Sequence, residues 1–101
     1  MLNPNEAPSD ISATLAERGS RYGAFIDHAT IVQDIMWVMT NTTGWRGLKP
    51  DQKQALTVIA DKIGRILNGD PDYIDNWHDI QGYSKLVEDR LSQVIRAGGG
   101  K

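Results

Sequence analysis

Apolar side chains recur at three- and four-residue steps in three separate stretches of the chain, the spacing of one-sided helices. Over roughly 24 to 40, Ile31, Ile35, Val38 and Met39 form one stripe, which Val32 and Met36 extend and Trp37 broadens. So wide an apolar surface predicts a central helix or one shared with a second subunit. A further helix begins near Pro50 or Asp51, since proline suits a first helical turn. Leu56, Ile59, Ile63, Ile66 and Leu67 mark its apolar side, and Asn68-Gly69 supplies its stop. The last helix runs from about Asp75 to Arg96 and turns Trp77, Ile80, Leu86, Val87, Leu91, Val94 and Ile95 inward.

The connecting segments carry the expected punctuation. Ser9 or Asp10 is placed to cap a short helix, ISATLAERG, that Gly19 ends. A turn, SRYGAF, follows, with Gly23 free to take a positive φ. NTTGWRGLKP reads as a loop and GDPDYIDN as an acidic turn. No strand pattern and no internal repeat is present. The prediction is an all-α fold: a small helical bundle of three long helices plus a short N-terminal helix, expected to be oligomeric. Residues 1–8 form a flexible arm, 9–96 a single helical domain and 97–101 a flexible tail.

Composition narrows the function classes. The 101 residues carry a net charge of −2, with acids and bases mixed along the chain, whereas a general nucleic-acid binder would be clearly basic. There is no cysteine, so disulfides and thiolate metal sites are excluded. The first residues lack the basic and apolar regions of a secretory signal. No apolar run reaches the roughly 18 residues of a membrane span. A cytoplasmic protein with no membrane partner is expected. A chain this short leaves apolar surface hard to cover, which again points to a homo-oligomer.

The candidate chemistry lies in GDPDYIDNWHDIQGYSKL, residues 69–86, with four aspartates, a histidine and three aromatics. Asp75 and Asp79 are four apart and project from one helix face. Two carboxylates so held can share Mg²⁺, which prefers oxygen ligands and keeps several waters. Asp72 reads as a turn or cap residue. The preceding helix offers Lys62 and Arg65, and Asp61 and Arg65, four apart, could instead pair with each other. A closed Arg65–Asp79 salt bridge would be structural, whereas an open cleft with acids on one wall and bases on the other would suit a bound phosphate. Among the tryptophans, Trp45, in a loop beside Arg46, is the best placed to stack on a base.

Three motifs stand out along the chain: Arg21-Tyr22-Gly23 with Phe25; then Lys62-Ile63, Arg65-Ile66-Leu67-Asn68-Gly69; then Asp75, Trp77, Asp79-Ile80 and Gly82-Tyr83. In this order they resemble a family of small phage and prophage proteins of unknown function, from about Glu17 to Leu91. More distantly, the acidic helix is similar to the second metal-binding helix of the MazG-like all-α nucleotide pyrophosphohydrolases. That likeness implies Mg²⁺ held by Asp61, Asp75 and Asp79, and a ligand held by Arg21, Tyr22, Lys62, Arg65 and Trp77. The first E-x-x-E pair of those enzymes has no counterpart, because the three glutamates, Glu6, Glu17 and Glu88, are not so spaced.

Two functional readings follow. The first is a phage-encoded helical binding protein, active in the cytoplasm of an infected or lysogenic bacterial host. It would act against host defence, by covering a host protein or by sequestering a nucleotide. The second is a Mg²⁺-dependent nucleotide pyrophosphohydrolase. The missing E-x-x-E favours the first. A helical protein whose acid–base pairs only hold helices together is the third, purely structural possibility.

Overall fold

The computed structural model describes residues 8–96 and Gly98. The expected arm and tail lie outside the described residues, apart from Pro8, which opens the first helix, and Gly98. The elements in order are α1 (Pro8–Tyr22), α2 (Phe25–Thr40), α3 (Thr43–Arg46), α4 (Pro50–Asn68) and α5 (Ile74–Arg96). Among the described residues there is no strand, so the all-α expectation holds.

Two boundaries differ from the sequence reading. The first helix is not short and does not stop at Gly19; it runs a further turn to Tyr22. Within it, Glu17 and Arg21 pair across one turn at 3.0 Å, spanning the glycine. The stop is Gly23, which takes φ +78° and whose N–H donates to the Gly19 carbonyl. Ser9 and Asp10 therefore lie inside α1 rather than at a cap. The expected loop after α2 contains the single turn α3, because the Thr42 hydroxyl accepts from the Trp45 N–H at 3.2 Å and nucleates it. The α4 start is as predicted: Pro50 occupies the first turn and the Gln52 side chain accepts from the Lys49 N–H at 2.8 Å.

The central helix is α4, not α2. It packs against α5 along one flank and α2 along the other, while α2 and α5 share little direct packing. Small residues permit the close approach. Ala55 and Ala60 are buried on α4, and Gly64 is buried where a Cβ would run into the Val32 side chain of α2. Gly82 of the last motif has nothing near its absent side chain.

Because α5 has one main neighbour, it buries a narrow stripe. Asn76, Ile80, Tyr83, Val87, Arg90 and Val94 recur at three- and four-residue steps and are covered fully or in part. Trp77, Leu86, Leu91 and Ile95, expected inward, remain exposed. Arg90 ties the stripe to the start of α4 by a 2.6 Å contact with Asp51, whose carboxyl is thereby held below its usual range. The fully buried apolar set among the described residues is only Val32, Ala55 and Ala60.

Candidate functional site

The end of α4, the α1–α2 turn and the start of α5 meet in one place. The Asn68 amide donates to the Tyr22 and Ala24 carbonyls, and the Asp70 N–H donates to the Arg21 carbonyl at 2.6 Å. Gly69 lies so close to the Arg21 carbonyl that a Cβ would collide with it. Around this knot the aromatic and basic groups interleave. The Arg65 guanidinium lies 4.5 Å above the Tyr22 ring, and that of Arg21 lies 4.3 Å above the Tyr73 ring. The rings of Tyr22 and Tyr73 meet edge to face at 6.2 Å.

Two clefts flank this region. The first, about 510 Å³, opens between α2, α4 and α5 and is lined by Val32, Gln33, Met36, Asp61, Lys62, Asp79 and Tyr83 among others. The Lys62 ammonium sits 2.9 Å from the Asp79 carboxylate. That hydrogen bond is the main cause of a lowered Asp79 pKa, with partial burial opposing it. The second cleft, about 480 Å³, lies where α1 and the α1–α2 turn meet α2 and α4. Its walls include Leu15, Arg18, Tyr22, Phe25, His28, Asp61 and Arg65.

Asp61 belongs to both clefts. One carboxylate oxygen pairs with Arg65 at 3.1 Å and the other meets His28 Nε2 at 2.8 Å. An ionised carboxylate only accepts, so Nε2 carries the proton in that bond. The other ring nitrogen, Nδ1, is buried without a hydrogen-bond partner. His28 is thus a buried packing residue stacked beside Phe25.

The sequence-derived set separates on this frame. Tyr22 and Arg65 share the second cleft, and Lys62, Asp61 and Asp79 share the first. Arg65 pairs with Asp61 rather than Asp79, and it is Lys62 that closes on Asp79. Arg21 lines neither cleft; it pairs with Glu17 and covers Tyr73. Trp77 also stands outside both, with its indole N–H donating to the Pro71 carbonyl at 2.8 Å. Trp45, the base-stacking candidate, lines neither. Asp75 accepts from the Tyr73 hydroxyl at 2.8 Å, which raises the Tyr73 pKa, and it too is away from the clefts. Asp70 forms a local turn by accepting the Asp72 N–H.

Mg²⁺ fits this arrangement poorly. Both Asp61 oxygens are engaged, by Arg65 and His28, one Asp79 oxygen is held by Lys62, and one Asp75 oxygen accepts from a phenol. Among the described residues no three acid, cysteine or histidine side chains come together as a candidate metal site. Arg18 is the cleft residue the sequence does not single out: it shares a face with Tyr22, one turn on, only because α1 continues past Gly19. Phe25 carried a signal in the sequence motif but no role.

Family models, curated proteins and solved structures were compared with the chain, and none matches.

Proposed function

We propose that this chain is a small phage-encoded binding protein, and that it captures a nucleotide in the cleft between the α1–α2 turn and α4. The observation that carries the reading is the pairing of cations with aromatic surface in one cleft: Arg18 and Arg65 beside Tyr22 and Phe25. Guanidinium groups match phosphate oxygens with several donors at once. A base stacked on an aromatic ring gains roughly 1–3 kcal/mol whatever its identity, and the Phe25 ring is 81 % exposed. Asp61 sets the threshold for binding. A phosphate must compete with it for Arg65, while His28 keeps the released carboxylate hydrogen-bonded.

Capture without turnover agrees with the engaged acids. A pyrophosphohydrolase would need Lys62 to leave Asp79 before a metal could take its place. The site of action is proposed to be the cytoplasm of an infected or lysogenic host; no helix is long and apolar enough to cross a membrane among the described residues. Covering a host defence protein is the companion reading, and the exposed Phe25 of the cleft, with the exposed Ile26 next to it in sequence, supports it.

The test is a thermal-shift and calorimetry panel of linear and cyclic nucleotides, with and without Mg²⁺, against Arg18→Ala, Phe25→Ala and Arg65→Ala. A ligand that binds the folded chain raises the melting temperature by mass action. At least one nucleotide is expected to do so, with the shift lost in Arg65→Ala and reduced in Phe25→Ala. No shift at millimolar nucleotide, or a shift unchanged by these substitutions, overturns the reading. Retention of one host protein by the intact chain, lost in Phe25→Ala, would replace it with the companion.

A further inference from the structure

The α2–α4–α5 layer has two faces of opposite character. One carries Thr57, Val58, Asp61 and Lys62 and opens into the first cleft. At about 100° per residue, Leu56, Ile59, Ile63 and Leu67 fall roughly half a turn away on α4. That stripe is covered only in part, with Ile59 and Ile63 half-buried. Leu56 is 38 % and Leu67 67 % exposed. The stripe continues onto α5 through a shallow groove of about 320 Å³, where Leu48, Leu56 and Ile59 meet Ser84 and Val87. On the Ser84 side of α5, Trp77, Leu91 and Ile95 follow at seven- and four-residue steps, all exposed. No charged side chain lines the groove.

We infer that this apolar face of α4 and α5 is an interface with a second copy of the same chain. The first argument is the core. Ordering a residue costs roughly 1–2 kcal/mol of backbone entropy, and burial of a large aliphatic side chain returns roughly 1.5–3 kcal/mol. One valine and two alanines are the fully buried apolar residues among those described, while Leu56, Leu67, Leu91 and Ile95 of this face stay exposed. The face is therefore part of the core the fold needs. Its cover must be present wherever the chain is made, as another copy always is.

The second argument is area and charge. A half-exposed tryptophan leaves on the order of 100 Å² open, and a leucine or isoleucine at 38–67 % exposure about as much or somewhat less. Leu56, Leu67, Trp77, Leu91 and Ile95 together leave on the order of 500 Å² open, the larger part of the ~800 Å² per partner of a standard interface, to which the half-covered Leu48, Ile59, Ile63 and Val87 add. A contiguous apolar patch of this extent is uncommon on a monomer. An uncharged groove also meets its own copy across a two-fold axis without like charges opposed. The clefts stay open on the other side, so association and ligand capture do not compete for surface.

Sedimentation velocity of the full chain at micromolar concentration, without added ligand, tests the inference. A dimer or larger closed assembly is expected, with a melting temperature that rises with protein concentration. The absence of cysteine allows a second readout that does not depend on a disruptive variant. Single thiols are introduced by Leu67→Cys, on the face, and Gln54→Cys, on the exposed opposite side of α4. The Leu67→Cys thiol should react with a maleimide only on dilution, while the Gln54→Cys thiol reacts at every concentration. A monomer whose melting temperature ignores concentration overturns the inference. So does an assembly in which both thiols react equally.

Discussion

The Asn68 carboxamide donates to the Tyr22 carbonyl at 2.8 Å, joining the last residue of α4 to the last residue of α1 across 46 positions of sequence. The same nitrogen reaches the Ala24 carbonyl at 3.0 Å. One side chain thus satisfies two carbonyls of the α1–α2 turn and sets where Tyr22 and Phe25 stand in the second cleft. Asn68→Asp replaces a donor with a charge facing those carbonyls. It is expected to lower stability by about 1–3 kcal/mol. For a domain this size each kcal/mol lowers the melting temperature by about 4–8 °C, which thermal denaturation followed by circular dichroism measures.

Glycine substitutions should divide by position. At Gly64 a side chain meets buried Val32, so Gly64→Val is expected to push α2 from α4 and destabilise by about 1–3 kcal/mol. Gly82 is exposed on α5 with open space around it. There Gly82→Ala is expected to stabilise by about 0.5–1 kcal/mol, through reduced chain entropy and better helix propensity. Urea denaturation of both variants checks the pair; equal effects would show that α2 and α4 do not approach at Gly64.

The Lys62–Asp79 pair carries a pH dependence of definite sign. Because the folded chain depresses the Asp79 pKa, the unfolded chain binds its proton more readily. The pair therefore stabilises the fold above the ordinary carboxylate value near ~3.9, and that contribution disappears as pH falls through the lower folded value. Asp79→Asn should be less stable than the unmodified chain at neutral pH and should close the gap on acidification. Urea midpoints from pH 7 to 2.5 read this directly. A gap that persists at the acid end would assign the effect to packing.

Charge alone does not reproduce Arg65. Its planar guanidinium covers the Tyr22 ring while pairing with Asp61, and a lysine ammonium cannot match that geometry. Arg65→Lys is expected to weaken nucleotide binding by about 0.5–2 kcal/mol, or roughly 2- to 30-fold in Kd. The fold should be little changed. Calorimetry against the best nucleotide measures this, with melting temperature as the control.

The helical segments and most of their ends are legible in the chain alone. The three-four spacing of Ile31, Ile35 and Val38, or of Leu56, Ile59 and Ile63, allows nothing but helix, and Pro50, Gly23 and Asn68-Gly69 punctuate it through backbone chemistry local to each residue. Pairings and exposure are different. Asp79 had Lys62 and Arg65 within range, and only the rotation of α5 about α4 selects Lys62. Leu86 and Ile95 belong to an apolar pattern, yet lie open because a stripe is buried only where a neighbour exists to cover it. Local periodicity specifies what a helix offers; the number and angle of its neighbours decide what is taken up, and those were set by tertiary contacts at Gly64, Asn68 and Asn76 that no single segment contains.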